Sequence, residues 1–196
     1  MGKYLIDVPN EFNLKLERGI DSQPGLLKGK GFYLAFDYGP YCDTLVMTTQ
    51  EFIRKGWWKD EAIIRFLNHK QHPNADFRTA EVVNIRPSVK QDSSFAPGCD
   101  FIASCNQGND KFKLPVFIPQ EIKDHIVIID TIQHYYRRMV HPRKGVKGTI
   151  GVYMRKENVS PDTLYNGIVI AGEKLNNKQQ AIAMEIVASL RPRPKI

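Results

Sequence analysis

Short segments in which apolar and polar residues alternate recur along this chain, separated by Pro, Gly and Asn. In residues 32–38 every second side chain is large and apolar: Phe32, Leu34, Phe36 and Tyr38. Because successive side chains of a strand point to opposite faces, this spacing predicts a half-buried strand. Residues 149–155 repeat the pattern. Strands of this length, separated by turn residues, favour a mostly antiparallel sheet.

Three other segments carry helix signals. Thr48, with Glu51 three residues later, forms a capping box and predicts a helix start that Gly56 interrupts. Residues 177–190 place apolar side chains at helical spacing. Pro119 stands at the first turn of a third predicted helix, residues 119–139, with basic residues near its end. The β-branched run at 126–129 leaves a buried strand open as the alternative, because periodicity does not separate the two.

The remaining segments are shorter. Residues 11–18 read as one or two helical turns, and the Gly-rich and Lys-rich residues 21–31 read as a loop. Residues 100–104 and 112–118 predict a hairpin, in which Pro115 favours an edge position for the second strand. A chain of 196 residues, 42% of them apolar, is long enough for one buried core. We therefore expect a single α+β domain over residues 1–190, with about three helices packed on the sheet, followed by a basic, Pro-rich tail at 191–196.

The charge pattern is the main indication of function. Residues 131–156 contain seven Lys and Arg residues and no Asp or Glu, within a chain of formal net charge +7. Tyrosines lie among these cations. Basic groups neutralise phosphates and aromatic faces stack on unpaired bases, so the run favours a nucleic-acid-binding protein. No recognition-helix motif is visible, which favours single-stranded RNA or DNA over duplex DNA.

Two loops and one strand complete the predicted interface. Lys-Gly loops at 28–31 and 144–148 each precede a strand, and neither matches a phosphate-binding P-loop. In the strand 149–155, burial of Ile150, Val152 and Met154 would leave Tyr153 and Arg155 on an open face. The residues predicted to bind nucleic acid are Lys28, Lys30, Arg137, Arg138, Arg143, Lys144, Lys147, Tyr153 and Arg155.

Other functional classes have weaker support in the sequence. No spacing of Ser, His, Cys, Asp or Glu selects a catalytic set or a metal site, so we favour a binding protein over an enzyme and expect no cofactor. An odd number of cysteines and the lack of a long apolar run lead us to expect a cytoplasmic protein without membrane contact. A protein-interaction module with an acidic partner, such as an inhibitor or assembly subunit, and a metal-dependent nuclease are the alternatives. Self-association stays open.

Overall fold

The computed structural model describes residues 3–66, 79–157 and 166–194. In these residues the strands, in chain order, are β1 (Tyr4–Leu5), β2 (Asn13–Leu16), β3 (Gln23–Lys28), β4 (Tyr33–Gly39), β5 (Glu81–Pro87), β6 (Phe101–Gln107), β7 (Asp110–Val116), β8 (His125–Ile132), β9 (Tyr135–Pro142), β10 (Ile150–Lys156), β11 (Gly167–Gly172) and β12 (Arg191–Pro192). The α-helices are α1 (Thr49–Lys55), α2 (Trp58–Phe66), α3 (Gln120–Asp124) and α4 (Asn177–Ala188). The predicted α+β class with antiparallel sheets is confirmed.

The chain divides into two compact units, the first formed by Met1–Met47 with Asp124–Ile196. Its main sheet has seven antiparallel strands in the order β2-β3-β4-β11-β10-β9-β8. Helix α4 packs on the central strands, and Ile186 is buried in the same hydrophobic cluster as Val152 and Ile170. The Asn176 side chain accepts hydrogen bonds from two backbone N–H groups of the first turn, which fixes where α4 begins.

The second unit, Thr48–Lys123, contains the three-stranded sheet β5-β6-β7 and helices α1 and α2. The predicted capping box is confirmed: Thr48 Oγ1 accepts from Glu51 N at 3.2 Å, and Glu51 Oε2 accepts from Thr48 N at 2.8 Å. Gly56 ends α1 with φ +71°, a conformation that costs glycine little. Strand β7, which contains Pro115, is an edge strand as predicted.

The predicted helix at 119–139 is wrong beyond Asp124. Residues 126–129 belong to β8, which forms a hairpin with β9, so the strand alternative was right. The hairpin turns through Gln133 and His134, both with positive φ. Two such residues match the right-handed twist of paired strands. Because β-branched side chains lose rotamer freedom in a helix, the run at 126–129 is better accommodated in the sheet.

The predictions for the N-terminal region also need correction. Residues 13–16 form β2 rather than helical turns, and residues 23–28 form β3 rather than a loop. Gly25 lies in β3 where the Phe36 ring of the neighbouring strand passes directly over its backbone, leaving no room for a Cβ. The glycine that suggested a loop is thus required by packing within the sheet.

At the C-terminus, the first residues of the expected tail form β12, which pairs with β1. Pro192 is buried, and Arg191 makes an ion pair with Asp7. In the described parts of the chain, no helix has the length and apolar composition needed to cross a bilayer.

Candidate nucleic-acid interface

The residues predicted to bind nucleic acid do not form one surface. All of them belong to the first unit, but the seven-stranded sheet distributes them over both of its faces and both of its ends. Arg137 lies on the face that packs against α4, and Arg138 and Tyr153 lie on the opposite face. The other residues lie at the strand ends and in the loops, where they are exposed to solvent.

Arg137 is held by neighbours on its own sheet face. Asp130 stands directly opposite it in the β8–β9 hairpin, and Arg137 Nε donates to Asp130 Oδ1 at 2.9 Å while Nη2 donates to Oδ2. Nη1 donates to the carbonyl oxygen of Ala188 at the end of α4. The hydrogen bonds from Arg137 hold the pKa of the Asp130 carboxyl below its ordinary value. With its side chain 12% exposed, Arg137 has a structural role here.

Arg138 is buried on the opposite face. Its Nε donates to Tyr136 Oη at 3.1 Å, and its Nη1 donates to the carbonyl oxygen of Val46 at 3.0 Å. The side chain is 4% exposed. A guanidinium fixed by hydrogen bonds in this way holds the 40–47 segment against the sheet and is not available to phosphate.

Tyr153 is covered as well. It stands opposite Arg138 in the ladder, its ring lies 6.2 Å from the Tyr136 ring, and it is 8% exposed. Burial raises the pKa of its hydroxyl. Strand alternation correctly places Tyr153 away from the α4 face, but the expectation that this second face is open at Tyr153 is wrong.

Five of the predicted residues do gather at one end of the sheet. Ala35 pairs with Ala171 and Ile150 pairs with Gly172, so β4 and β10 begin at the end where β11 finishes. The β3–β4 turn and the β9–β10 loop therefore project from the same end, with β4 and β10 about 10 Å apart at the usual strand spacing. The cations in these two connections are exposed: Lys28, Lys30, Arg143, Lys144 and Lys147. We call them the basic end. Arg155 lies at the other end of β10, roughly 20 Å away.

An exposed aromatic residue outside the predicted set stands beside the basic end. Tyr33 is 57% exposed and lies directly opposite Lys28 in the β3–β4 ladder, so both side chains lie on the sheet face opposite α4. Two residues further along each strand, the same face carries Lys15, Leu26 and Ala35. Lys15 makes an exposed ion pair with Glu17, a contact of little energetic weight. We call this part of the sheet, formed by β2, β3 and β4, the open face.

A cleft of about 570 Å³ adjoins the open face, between the β3–β4 turn and the β11–α4 loop. Its walls include Tyr33, Glu173 and the exposed Lys174. Gln179 in the first turn of α4 donates to the carbonyl oxygen of Gly31 at 3.0 Å, which ties the turn to the helix. Gly31 has φ +87°, so the turn itself depends on a residue without a Cβ. The position of Tyr33 is thus fixed by both the ladder and the helix.

The open face could have been found from the sequence only with the correct strands. Alternation in residues 32–38 does place Tyr33, Ala35 and Asp37 together on the less apolar face. The sequence predicts a loop over residues 21–31 and a helical turn at Lys15, so it does not identify Lys28 as the cross-strand neighbour of Tyr33 or place Lys15 on the same face.

The described residues contain no group of three or more His, Cys, Asp or Glu side chains placed to hold a metal ion. The cysteines carry free thiols, and Cys42 Sγ donates to the backbone carbonyl of Asp37. Burial raises the pKa of the Cys42 thiol.

None of the comparisons with protein-family models, curated proteins and solved structures gave a match for this chain.

Proposed function

We propose that this protein binds single-stranded nucleic acid, RNA in particular, on the open face, with the basic end contacting phosphates. The observation that carries the proposal is the exposed pair of Tyr33 and Lys28 on adjacent strands. An aromatic ring beside an ammonium group offers a base a stacking surface and its phosphate a counter-charge.

The shape of the surface favours an unpaired strand. A strand face presents its side chains in a nearly flat array, on which splayed bases can lie, whereas duplex DNA is usually read by an element inserted in the major groove. On the open face, Ala35 has a small side chain and Leu26 is partly buried, so both leave room around the Tyr33 ring. The basic end adjoins this face. This arrangement supports a path for the sugar-phosphate backbone of the nucleic acid from Lys28 towards the β9–β10 loop.

The test is a titration of labelled single-stranded RNA, single-stranded DNA and duplex DNA at several salt concentrations. Log Kobs for a single strand should fall with log salt, with a slope of about 0.7 for each phosphate contacted. In the double variant Lys28→Glu with Lys144→Glu, affinity should fall and the salt slope should become shallower. Binding of duplex DNA as tight as that of single strands would contradict the preference for unpaired bases.

Tyr33→Ala tests the stacking contact separately from charge. It should lower single-strand affinity by about 1–3 kcal/mol, the range for one lost base stack, and leave the salt slope nearly unchanged. Lys111→Glu is the matched control for the charge variants, because Lys111 is an exposed lysine of β7 in the second unit. The comparison is with the single variant Lys28→Glu, which changes the net charge by the same amount. If Lys111→Glu weakens binding as much as this variant does, net charge alone explains the affinity and the proposed interface is refuted.

A further inference from the structure

Strand β8 is an edge strand with a mostly apolar sequence that is exposed near its middle. In the described part of the chain no further strand pairs with its outer side. Its sequence HIVIIDTI has neither Lys nor Pro, and Ile128 and Ile129 are 40% and 45% exposed. Natural proteins usually protect long edges with charges, prolines or bulges, because an unprotected edge pairs readily with another strand.

The hydrogen bonds of the hairpin show which backbone groups face outward. Arg143 N donates to Asp124 O at 2.7 Å, and these residues are in register with the His125–Pro142 pair. Because hydrogen-bonded and non-bonded pairs alternate along an antiparallel ladder, the even-numbered residues of β8 bond to β9. The backbone N–H and C=O groups of the odd-numbered residues point outward: His125, Val127, Ile129 and Thr131.

The charge on this edge is already neutralised. Asp130 is the acidic residue of β8, and its carboxylate is engaged by Arg137 across the hairpin. At the other edge of the sheet, by contrast, β2 carries Lys15 between Leu14 and Leu16. The β2 edge therefore has the lysine that typically discourages pairing, and the β8 edge does not.

We propose that β8 binds β8 of a second copy of this chain, antiparallel, about a two-fold axis at Ile128. In this register Val127 stands opposite Ile129 of the second copy, so the outward-facing backbone groups of both residues have partners on either side of the axis. These two symmetry-related pairs form about four backbone hydrogen bonds, and the two sheets become continuous. Ile128 contacts its own equivalent.

The second copy is the favoured occupant because β8 is complementary to itself. No like charges meet across the two-fold axis: Asp130 lies opposite Ile126 of the other copy and keeps its ion pair with Arg137. The exposed side chains of Ile128 and Ile129 are covered by apolar residues of the same strand. Pairing does not depend on the proposed function, because β8 and the open face of β2–β4 lie at opposite edges of the sheet.

The test is sedimentation velocity of the full chain over a concentration series, with and without added salt. The wild type should reversibly form a dimer. Because each copy carries a net charge of +7, added salt should strengthen the dimer, whereas it weakens nucleic-acid binding. The two proposals can therefore fail independently.

Val127→Pro is the sharpest variant. It removes an outward N–H while leaving the β8–β9 hydrogen bonds in place, and it should raise the dimer Kd by about tenfold or more. Ile129→Lys, which places an exposed charge on the same edge, should also raise the dimer Kd. It replaces Val127→Pro as the test if the proline variant does not fold. Leu14→Lys on β2 is the matched control and should leave the dimer Kd unchanged. A wild type that stays monomeric up to its solubility limit, or a dimer unaffected by both β8 variants, would overturn the proposal.

Discussion

Replacing Tyr153 by alanine should destabilise the protein rather than weaken the proposed binding of nucleic acid. The side chain is 8% exposed and lies between the Tyr136 ring and the backbone of Gly167. A tyrosine buries about 150–250 Å² on folding, which at about 25 cal/mol per Å² corresponds to roughly 4–6 kcal/mol. The unfolded chain already buries part of this area, so we expect Tyr153→Ala to lower the free energy of unfolding by about 3–5 kcal/mol.

Urea denaturation followed by far-ultraviolet circular dichroism measures this loss, and amide exchange in β10 assigns it to the first unit. Tyr153→Phe is the matched control: it keeps the ring, and we expect it to cost less than about 1.5 kcal/mol. At urea concentrations at which the Tyr153→Ala protein is still folded, it should bind single-stranded nucleic acid with the same affinity as the wild type. A variant of unchanged stability that loses nucleic-acid affinity would show that Tyr153 contacts the ligand and that our account of its burial is wrong.

Three further changes test other contacts. Thr48→Ala removes the N-cap of α1 and should cost about 1 kcal/mol of unfolding free energy in denaturant melts, while Thr48→Ser should restore most of it. Arg86 holds the pKa of the Asp92 carboxyl at about 2 instead of 3.8, so this ion pair stabilises the fold above pH 3.8 and its contribution is lost as the pH falls towards 2. The stabilities of wild type and Asp92→Asn, measured over this range, should therefore converge in acid; a difference independent of pH would contradict the assignment. Gly148→Ala should destabilise by about 1–3 kcal/mol in thermal melts, because its Cβ would overlap the His125 ring that accepts a hydrogen bond from the backbone.

Local signals in the sequence predicted the elements whose ends are set by short-range contacts. Thr48 and Glu51 begin α1 because their side chains satisfy backbone groups within one turn, and Gly56 ends it because it adopts positive φ at little cost. The strand containing Leu34 and Phe36 was predicted correctly because one of its faces is buried and alternation is then unambiguous.

The same local rules failed for segments whose conformation is stabilised by pairing within the sheet. Strand β2 has four exposed residues, so its sequence carries no buried stripe, and its pairing with β3 determines its conformation. Strand β3 contains Pro24 and Gly25, which locally favour a turn, but the Phe36 ring of β4 needs the space above Gly25. Sheet propensity depends on such cross-strand neighbours, which a single sequence does not identify.

A basic run in a sequence becomes a basic surface only where the backbone allows its side chains to share one side. Residues 137 and 138 are adjacent in β9, and because strand neighbours point to opposite faces, one arginine contacts the end of α4 while the other is buried beneath the 40–47 segment. The run remains a cluster in the β9–β10 loop, where Arg143, Lys144 and Lys147 are exposed and no ladder separates them. Lys28 is more than a hundred residues away from this cluster in the sequence. The order of the strands in the sheet brings it to the same end of the sheet. The charge pattern therefore predicted a set of cations suited to a polyanion, and the topology determines which of them lie close enough together to contact one ligand.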